Sequence, residues 1–325
     1  MPTRVDSHVH VFPDPFKNAA NLISADRISQ LRRQARTWAK PITGSAHRMQ
    51  TMMRHLPEFA RHTLDELGAV VPLPGLLVES TAQDLLEAMR ESGIDYSVVI
   101  AHPPLISNEF VLELAQEHPE LFAVVNLPKD APRPSELLRS YVKQGAKALK
   151  IHPAADGEGV QSTRYKKLLK TAQELGIPVI IHTGCIHSRL IYKDVHQSRA
   201  ELFKKWYESY PDLKFILAHM NYHEPQVALD LCEKYENLFV DTSWQPAEVI
   251  GEAVRRMGAE RILFGSDWPL VGSNMKVGRQ RIDECIEIGI LNENQAQLIL
   301  GENACKLLGL KSDAIRTQST QCSSD

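Results

Sequence analysis

Several things are scarce in this chain. Its five cysteines (Cys185, Cys232, Cys285, Cys305 and Cys322) are scattered, with no CxxC pair. That argues against a disulfide framework and reads as reduced thiols. No apolar run approaches the ~20 residues of a membrane helix, so no membrane partner is expected. The first candidate strand begins at about Arg4, which leaves no room for a signal peptide; the expected location is cytoplasmic. Basic residues are not in excess: 37 Lys and Arg stand against 40 Asp and Glu, for a net charge of -3. No nucleic-acid partner is expected from that balance. Nothing like GxGxxG follows the first apolar run, which argues against a bound dinucleotide.

What is present is an alternation. Eight short runs rich in Val, Ile and Leu recur: RVDSHVH (4–10), YSVVIAH (96–102), FAVVNLP (122–128), AKALKIH (146–152), PVIIHTG (178–184), KFILAHM (214–220), LFVDTSW (238–244) and RILFGSD (261–267). Runs of this kind, bounded by Gly, Pro or charge, form the strands of a parallel sheet covered on both faces. Helical spacing fills the intervals. STAQDLLEAMRESGI has Ser80 or Thr81 as N-cap and Gly93 as stop. STRYKKLLKTAQELGI has Ser162 or Thr163 and Gly176 in the same roles. AELFKKWYESYP and QVALDLCEKYEN follow suit. Eight strands alternating with helices predict an α/β fold, a (β/α)8 TIM barrel, with an open doubly wound sheet as the alternative.

A single barrel over residues 1–310 fits the length. Residues 12–79 separate the first two strands by far more than one helix needs, and read as a helical excursion. It reads either as packing against the barrel or a second copy of the chain, or as a lid over the site or a source of substrate-binding cations. The polar tail, 311–325, is expected to be disordered.

A barrel works at the C-terminal ends of its strands. Those ends carry His8 and His10, His102, Asn126, Lys150 and His152, His182, His219, Asp241 and Ser243, and Asp267. His102, before two prolines, reads as an ordinary loop residue, and His55, His62 and His118 fall on helices. The pair His8 and His10 is different. Residues i and i+2 of a strand share a face, and two buried neighbouring imidazoles are costly unless they share hydrogen bonds or a cation. Zinc takes neutral imidazole nitrogen, often with a carboxylate. His182 and Asp267 complete a four-residue cluster with His8 and His10 around one ion. An ion there lowers the pKa of a bound water toward about 7. Asp267 accepts and relays the proton. His219 polarises a carbonyl, shuttles a proton, or binds a second ion.

Lys150 and His152 share parity and are expected to face inward. Three roles stay open for Lys150: a cation for a substrate carboxylate, a carbamate bridging two metals, or a structural residue. After the fifth strand, His187, Arg189 and Tyr192 are candidates to reach the pocket, Arg189 as a bidentate partner for a carboxylate. Trp244 and Trp268 are candidates to wall it.

Taken together, DSHVH, HTG, AHM and GSDWP at barrel spacing resemble the amidohydrolase superfamily, and within it the amidohydrolase-related (amidohydrolase 2) group. GENACKLLGL is similar to that group's final helix, so the resemblance spans roughly residues 4–310. It implies a divalent metal, usually zinc, held by His8, His10, His182 and Asp267, with His219 catalytic and a small-molecule substrate. ALKIHP is locally similar to members in which the lysine is carbamylated, which would add a second ion. The group includes hydrolases of esters, lactones and amides. It also includes non-oxidative decarboxylases of aromatic or unsaturated carboxylic acids, which are lyases. The expectation from the sequence is a metal-dependent hydrolase acting through activated water, with the decarboxylase as the alternative.

Overall fold

A computed structural model gives the fold. It describes residues 2–14, 52–68, 80–184, 192–270 and 274–310, together with residues 24, 26–28, 30, 31, 34, 37 and 188. The tail and much of the excursion, with Cys185, His187 and Arg189, lie outside the described residues. Eight strands form one sheet in chain order: β1 Val5–Val9, β2 Tyr96–Ile100, β3 Leu121–Val125, β4 Ala148–Ile151, β5 Val179–His182, β6 Phe215–Ala218, β7 Leu238–Asp241 and β8 Ile262–Leu263. Each pairs in parallel with the next. β8 is short, and the chain just beyond it closes the barrel. Ser7 N donates to Phe264 O at 2.8 Å, Asp267 N to His8 O at 2.8 Å, and His10 N to Trp268 O at 2.7 Å. This is the expected (β/α)8 barrel.

Alternation along the strands sorts the side chains. Val98, Ile100, Val124, Ala148, Ile180, Ile216, Ala218 and Leu263 pack together inside the barrel, and Ala304, Leu308 and Leu310 join them. Val99, Val125, Leu149, Ile181 and Leu217 point outward into the larger core under the helices. Lys150 is therefore in phase with inward Ala148, and His182 with inward Ile180. β1 breaks the rule. Val5 packs inside the barrel and Val9 outside, although both are odd-numbered. A register irregularity between Asp6 and Val9 switches the phase. It is what turns His8 and His10 inward above Val5.

The helices begin and end where their caps dictate. α1 is Glu58–Gly68 and α2 is Ala82–Ser92. Thr81 caps α2 in a reciprocal pair with Asp84, and Gly93 ends it at φ 64°. α3 is Asn108–Glu117, α4 Pro134–Lys143, α5 Pro153–Asp156 and α6 Thr163–Leu175. Ser162 caps α6 and Gly176 ends it at φ 67°. α7 (Lys204–Ser209) follows a 3-10 turn, and α8 (Pro225–Lys234), α9 (Ala247–Met257) and α10 (Asn274–Glu287) complete the outer layer. In the described part of the excursion, helix gives way to a turn before Pro57, which lacks the N–H a continuous helix needs. The closing segment is α11 (Glu293–Gln297), one π-helical turn (Leu298–Glu302) and α12 (Asn303–Leu307). At Gly301 a Cβ would fall 1.9 Å from Thr3 O, so the chain ends can meet there only through glycine.

Candidate metal centre

His8, His10, Lys150, His152, His182, His219, Asp241 and Asp267 are all buried at the C-terminal end of the barrel. The β1 closure sets Asp267 against the first strand. Its Oδ1 lies 3.5 Å from His8 Nε2 and 3.4 Å from His10 Nε2, and its Oδ2 accepts from Trp244 Nε1 at 2.7 Å. His8, His10 and Asp267 thus offer three ligand atoms within 4.8 Å of one another, and His8, His219 and Asp241 form a second such group. Asp241 is a strand-end residue whose part in the cluster is not legible from sequence. His182 stands apart from both groups, with its Nδ1 3.2 Å from His219 Nε2.

Hydrogen bonds fix which imidazole nitrogen carries its proton. His10 Nδ1 faces the carbonyl of Ile100 at 3.0 Å, which can only accept, so His10 is protonated there. His8 Nδ1 meets Asp241 Oδ2 at 2.8 Å, with the same consequence. Ser243 donates its hydroxyl to Asp241 Oδ1 and so accepts from His219 Nδ1 at 2.7 Å. His219 Nε2 is then an acceptor, and His182 Nδ1–H donates to it. The lone pairs left over sit on Nε2 of His8, His10 and His182. His182 Nε2 is buried and meets no hydrogen-bond partner among the described residues. A carboxylate holding the far nitrogen of a histidine is the usual support of a metal-ligating imidazole. The donor set of imidazole nitrogen and carboxylate oxygen fits a divalent ion such as zinc.

The charges agree with that fit. Burial lowers the pKa of His8, and takes His219 down to about 3 and His102 down to about 4. His152 and His182 are held well below the usual range by burial, with His102 and Lys150 facing His152, and His152 and His219 facing His182. These imidazoles are uncharged. Burial pushes Asp241 and Asp267 up, but the facing histidines and their hydrogen bonds outweigh it, and both carboxyls stay below their ordinary range. Lys150 Nζ lies 3.5 Å from His8 Nε2, and burial takes its pKa down to about 8 against the pull of Asp241 and Asp267. Two carboxylates thus face one weakened ammonium, a balance that favours a bound cation.

Six imidazoles form a closed circuit. Ring centroids are 5.4 Å apart for His8–His10, 6.2 Å for His10–His102 and 5.3 Å for His102–His152. They are 3.8 Å for His152–His182, 4.7 Å for His182–His219 and 4.8 Å for His219–His8. His102, set aside in the sequence, belongs to this circuit, and a strand-end histidine leading into it was the available signal. His152 has a local duty: its Nδ1 accepts from Ala155 N at 3.3 Å and caps α5. Tyr192 lies beside His152 and His182, at 5.3 and 6.0 Å. Trp244 and Trp268 are both buried next to Asp267 in space or sequence.

The backbone carrying His219 is strained. His219, Met220, Asn221 and Tyr222 have φ of 62°, 45°, 62° and 52°, and none is glycine. Left-handed backbone costs an L-residue roughly 1–2 kcal/mol. Such runs persist only where neighbours hold them, and they gather at functional sites. Gly184, from HTG, makes room. A Cβ there would lie 2.4 Å from the carbonyl carbon and oxygen of Asn221.

A parallel barrel with a buried His–Asp cluster at its C-terminal mouth defines a class, the metal-dependent (β/α)8 enzymes. Residues 5–310 match the amidohydrolase family, Amidohydro_2, and the chain belongs to it. No curated protein matches the chain. Among solved structures it is similar to a dihydroxybenzoic acid decarboxylase from Polaromonas sp. JS666 with bound manganese and the inhibitor 2-nitroresorcinol. That match has TM-score 0.63 and 16% identity, covering 97% of this chain and 100% of that one. It is also similar to a 5-carboxyvanillate decarboxylase from Novosphingobium aromaticivorans complexed with manganese (TM-score 0.62, 13% identity, 95% and 96% covered). A third is a probable 2-pyrone-4,6-dicarboxylic acid hydrolase from Acinetobacter baumannii with citric acid bound (TM-score 0.57, 15% identity, 95% and 100% covered). At these identities the likeness is one of fold.

Proposed function

We propose that this protein is a metal-dependent non-oxidative decarboxylase of a small aromatic or unsaturated carboxylic acid. The observation that carries the reading is the buried Lys150 ammonium set among ligand-competent imidazoles, 3.5 Å from His8 Nε2. A cation at that depth suits a substrate that brings its own negative charge. The reading is also supported by the neighbours in fold that hold manganese, both decarboxylases by name. His8, His10, His182 and Asp267 would hold one divalent ion, zinc or manganese. When bound, the ion stabilises negative charge on substrate oxygens.

The chain's own residues supply the rest. Lys150 binds the carboxylate. In the reaction one carbon–carbon bond breaks, its electron pair stays on the substrate carbon, and carbon dioxide leaves. A proton takes the vacated position. His219 is the buried group assigned to relay it from the substrate or solvent in the step itself, while Asp267 stays ionised beside it. Trp244, donating to Asp267 Oδ2, keeps that carboxylate aimed at the first strand and helps exclude water.

A second reading is hydrolysis of an ester, lactone or amide. It is favoured by the ionised state of Asp267, which suits a base that takes a proton from water. One assay separates the two. Carboxylated phenols and pyrone carboxylates are incubated with the manganese- or zinc-loaded protein. Carbon dioxide released in step with substrate loss is the expected result. A ring-opened or cleaved acid without carbon dioxide establishes the hydrolase instead, and turnover of neither class overturns both.

A further inference from the structure

The left-handed turn that carries His219 is held from one side by Gln245. This side chain is fully buried. Its Nε2 donates to His219 O at 2.6 Å and to Tyr222 O at 3.1 Å, the two ends of the turn. Its Oε1 accepts from Arg54 Nη2 at 2.9 Å. The amide cannot be reversed, because the flipped form would set its oxygen against two carbonyl oxygens and its NH2 against a guanidinium. Arg281 Nη1 donates to the backbone oxygen of the same residue at 2.8 Å. On the opposite side, Asp241 Oδ1 accepts from His219 N at 3.0 Å, and Thr183 Oγ1 accepts from Asn221 N at 3.1 Å. The turn is thus held by groups on both sides, and the Gln245 grip leads outward, to Arg54 of the excursion.

We infer that Gln245 is a positioning residue for His219, and that Arg54 acts on the reaction through it. Two successive hydrogen bonds join the excursion to the turn: Arg54 to Gln245, then Gln245 to the His219 and Tyr222 carbonyls. Arg54 fixes the rotamer of Gln245. Gln245 in turn fixes the backbone from which the imidazole of His219 reaches Ser243 and His182. No contact between Arg54 and substrate is required. A glutamine is the side chain this place needs, since it offers donors to the turn and an acceptor to the arginine at once. The catalytic part of this inference rests on the role proposed for His219. The grip on the turn does not.

The test uses Gln245→Glu, Gln245→Met, Arg54→Met and Arg54→Lys in the full chain, with two readouts. Amide hydrogen exchange is followed over residues 218–223 in the protein without added metal, and kcat and KM are measured on whichever substrate the wild type turns over. Gln245→Glu and Gln245→Met are expected to raise exchange in that segment at least tenfold and to lower kcat at least tenfold, with KM within twofold. Arg54→Met is expected to lower kcat three- to tenfold, to have no further effect when added to Gln245→Met, and to be largely rescued by Arg54→Lys, which keeps a donor. Unchanged exchange in both Gln245 variants overturns the grip. Arg54 and Gln245 effects that simply multiply overturn the link between them. If Gln245→Met fails to fold, the Arg54 pair and Gln245→Glu still decide the matter. A wild type with no decarboxylase or hydrolase activity defeats the proposed function, while the exchange result stands on its own.

Discussion

Asp241 orients both halves of the cluster. One oxygen accepts from His8 Nδ1–H, and the other accepts from the Ser243 hydroxyl and the His219 and Ser243 backbone N–H groups. Asp241→Asn replaces one acceptor by a donor and breaks that orientation. It is expected to weaken manganese binding 10- to 100-fold, as loss of such supporting carboxylates does, with the circular dichroism unchanged; equal affinity would remove Asp241 from the account. Asp267→Asn should keep the fold and lose activity at least a hundredfold, and an active variant would free Asp267 from any chemical role. Lys150 yields a stability prediction for the metal-free protein. Its folded pKa is about 8 against an ordinary 10.5. Between those values the unfolded chain binds more protons, so stability should rise with pH from about 8 to 10.5. Lys150→Met should recover on the order of 3 kcal/mol at pH 7 and flatten that rise. A variant that melts like the wild type contradicts the buried charge. At this scale the HxH pair, Lys150, His182, His219 and Asp267 were legible as inward strand ends. The work of Asp241 was not. A carboxylate's role depends on which imidazole nitrogen it meets, and its partner here is 233 residues away.

Strands and caps were read closely, because each depends on neighbours in sequence. Each of the eight apolar runs contains or overlaps one strand, and Thr81, Ser162, Gly93 and Gly176 cap as expected. Two elements escaped. The β1 irregularity leaves no mark in RVDSHVH, since it arises from pairing with β2 and from Asp6 accepting from the backbone N–H groups of His8 and Ser266, both at 3.0 Å. The turn at 219–222 contains no glycine to announce its left-handed backbone. The announcement lies elsewhere, in the glycine of HTG. Gly184→Ala combines a φ of 61° with a 2.4 Å approach to Asn221. It is expected to destabilise the protein by ~2–4 kcal/mol and to lower activity beyond that loss. Urea unfolding with stability within 0.5 kcal/mol of the wild type would show that the turn can relax at no cost.

As a whole, the molecule is a closed barrel whose interior is apolar below and ionisable above. The lower layers are filled from the strands and from Ala304, Leu308 and Leu310, so the mouth is the open end. The described residues 52–68 of the excursion dock at that mouth. In α1, Asp65 faces buried His223 at 3.3 Å and Arg61 pairs with Glu224 at 3.2 Å, while Arg54 precedes the helix and reaches Gln245. The sequence left open whether residues 12–79 pack on the barrel, a second copy or the site. In their described part they pack on the loops beside His219, an arrangement set by tertiary contacts that no local pattern encodes. We propose that the mouth holds one divalent ion through His8, His10, His182 and Asp267. Calorimetric titration of manganese or zinc into chelator-treated protein tests it directly, with His8→Ala/His10→Ala titrated alongside. One ion per chain is expected for the wild type, with an unmodified Lys150 by mass and loss of that binding in the double variant. Equal binding by the two proteins, or two ions per chain with a carbamylated Lys150, would contradict it.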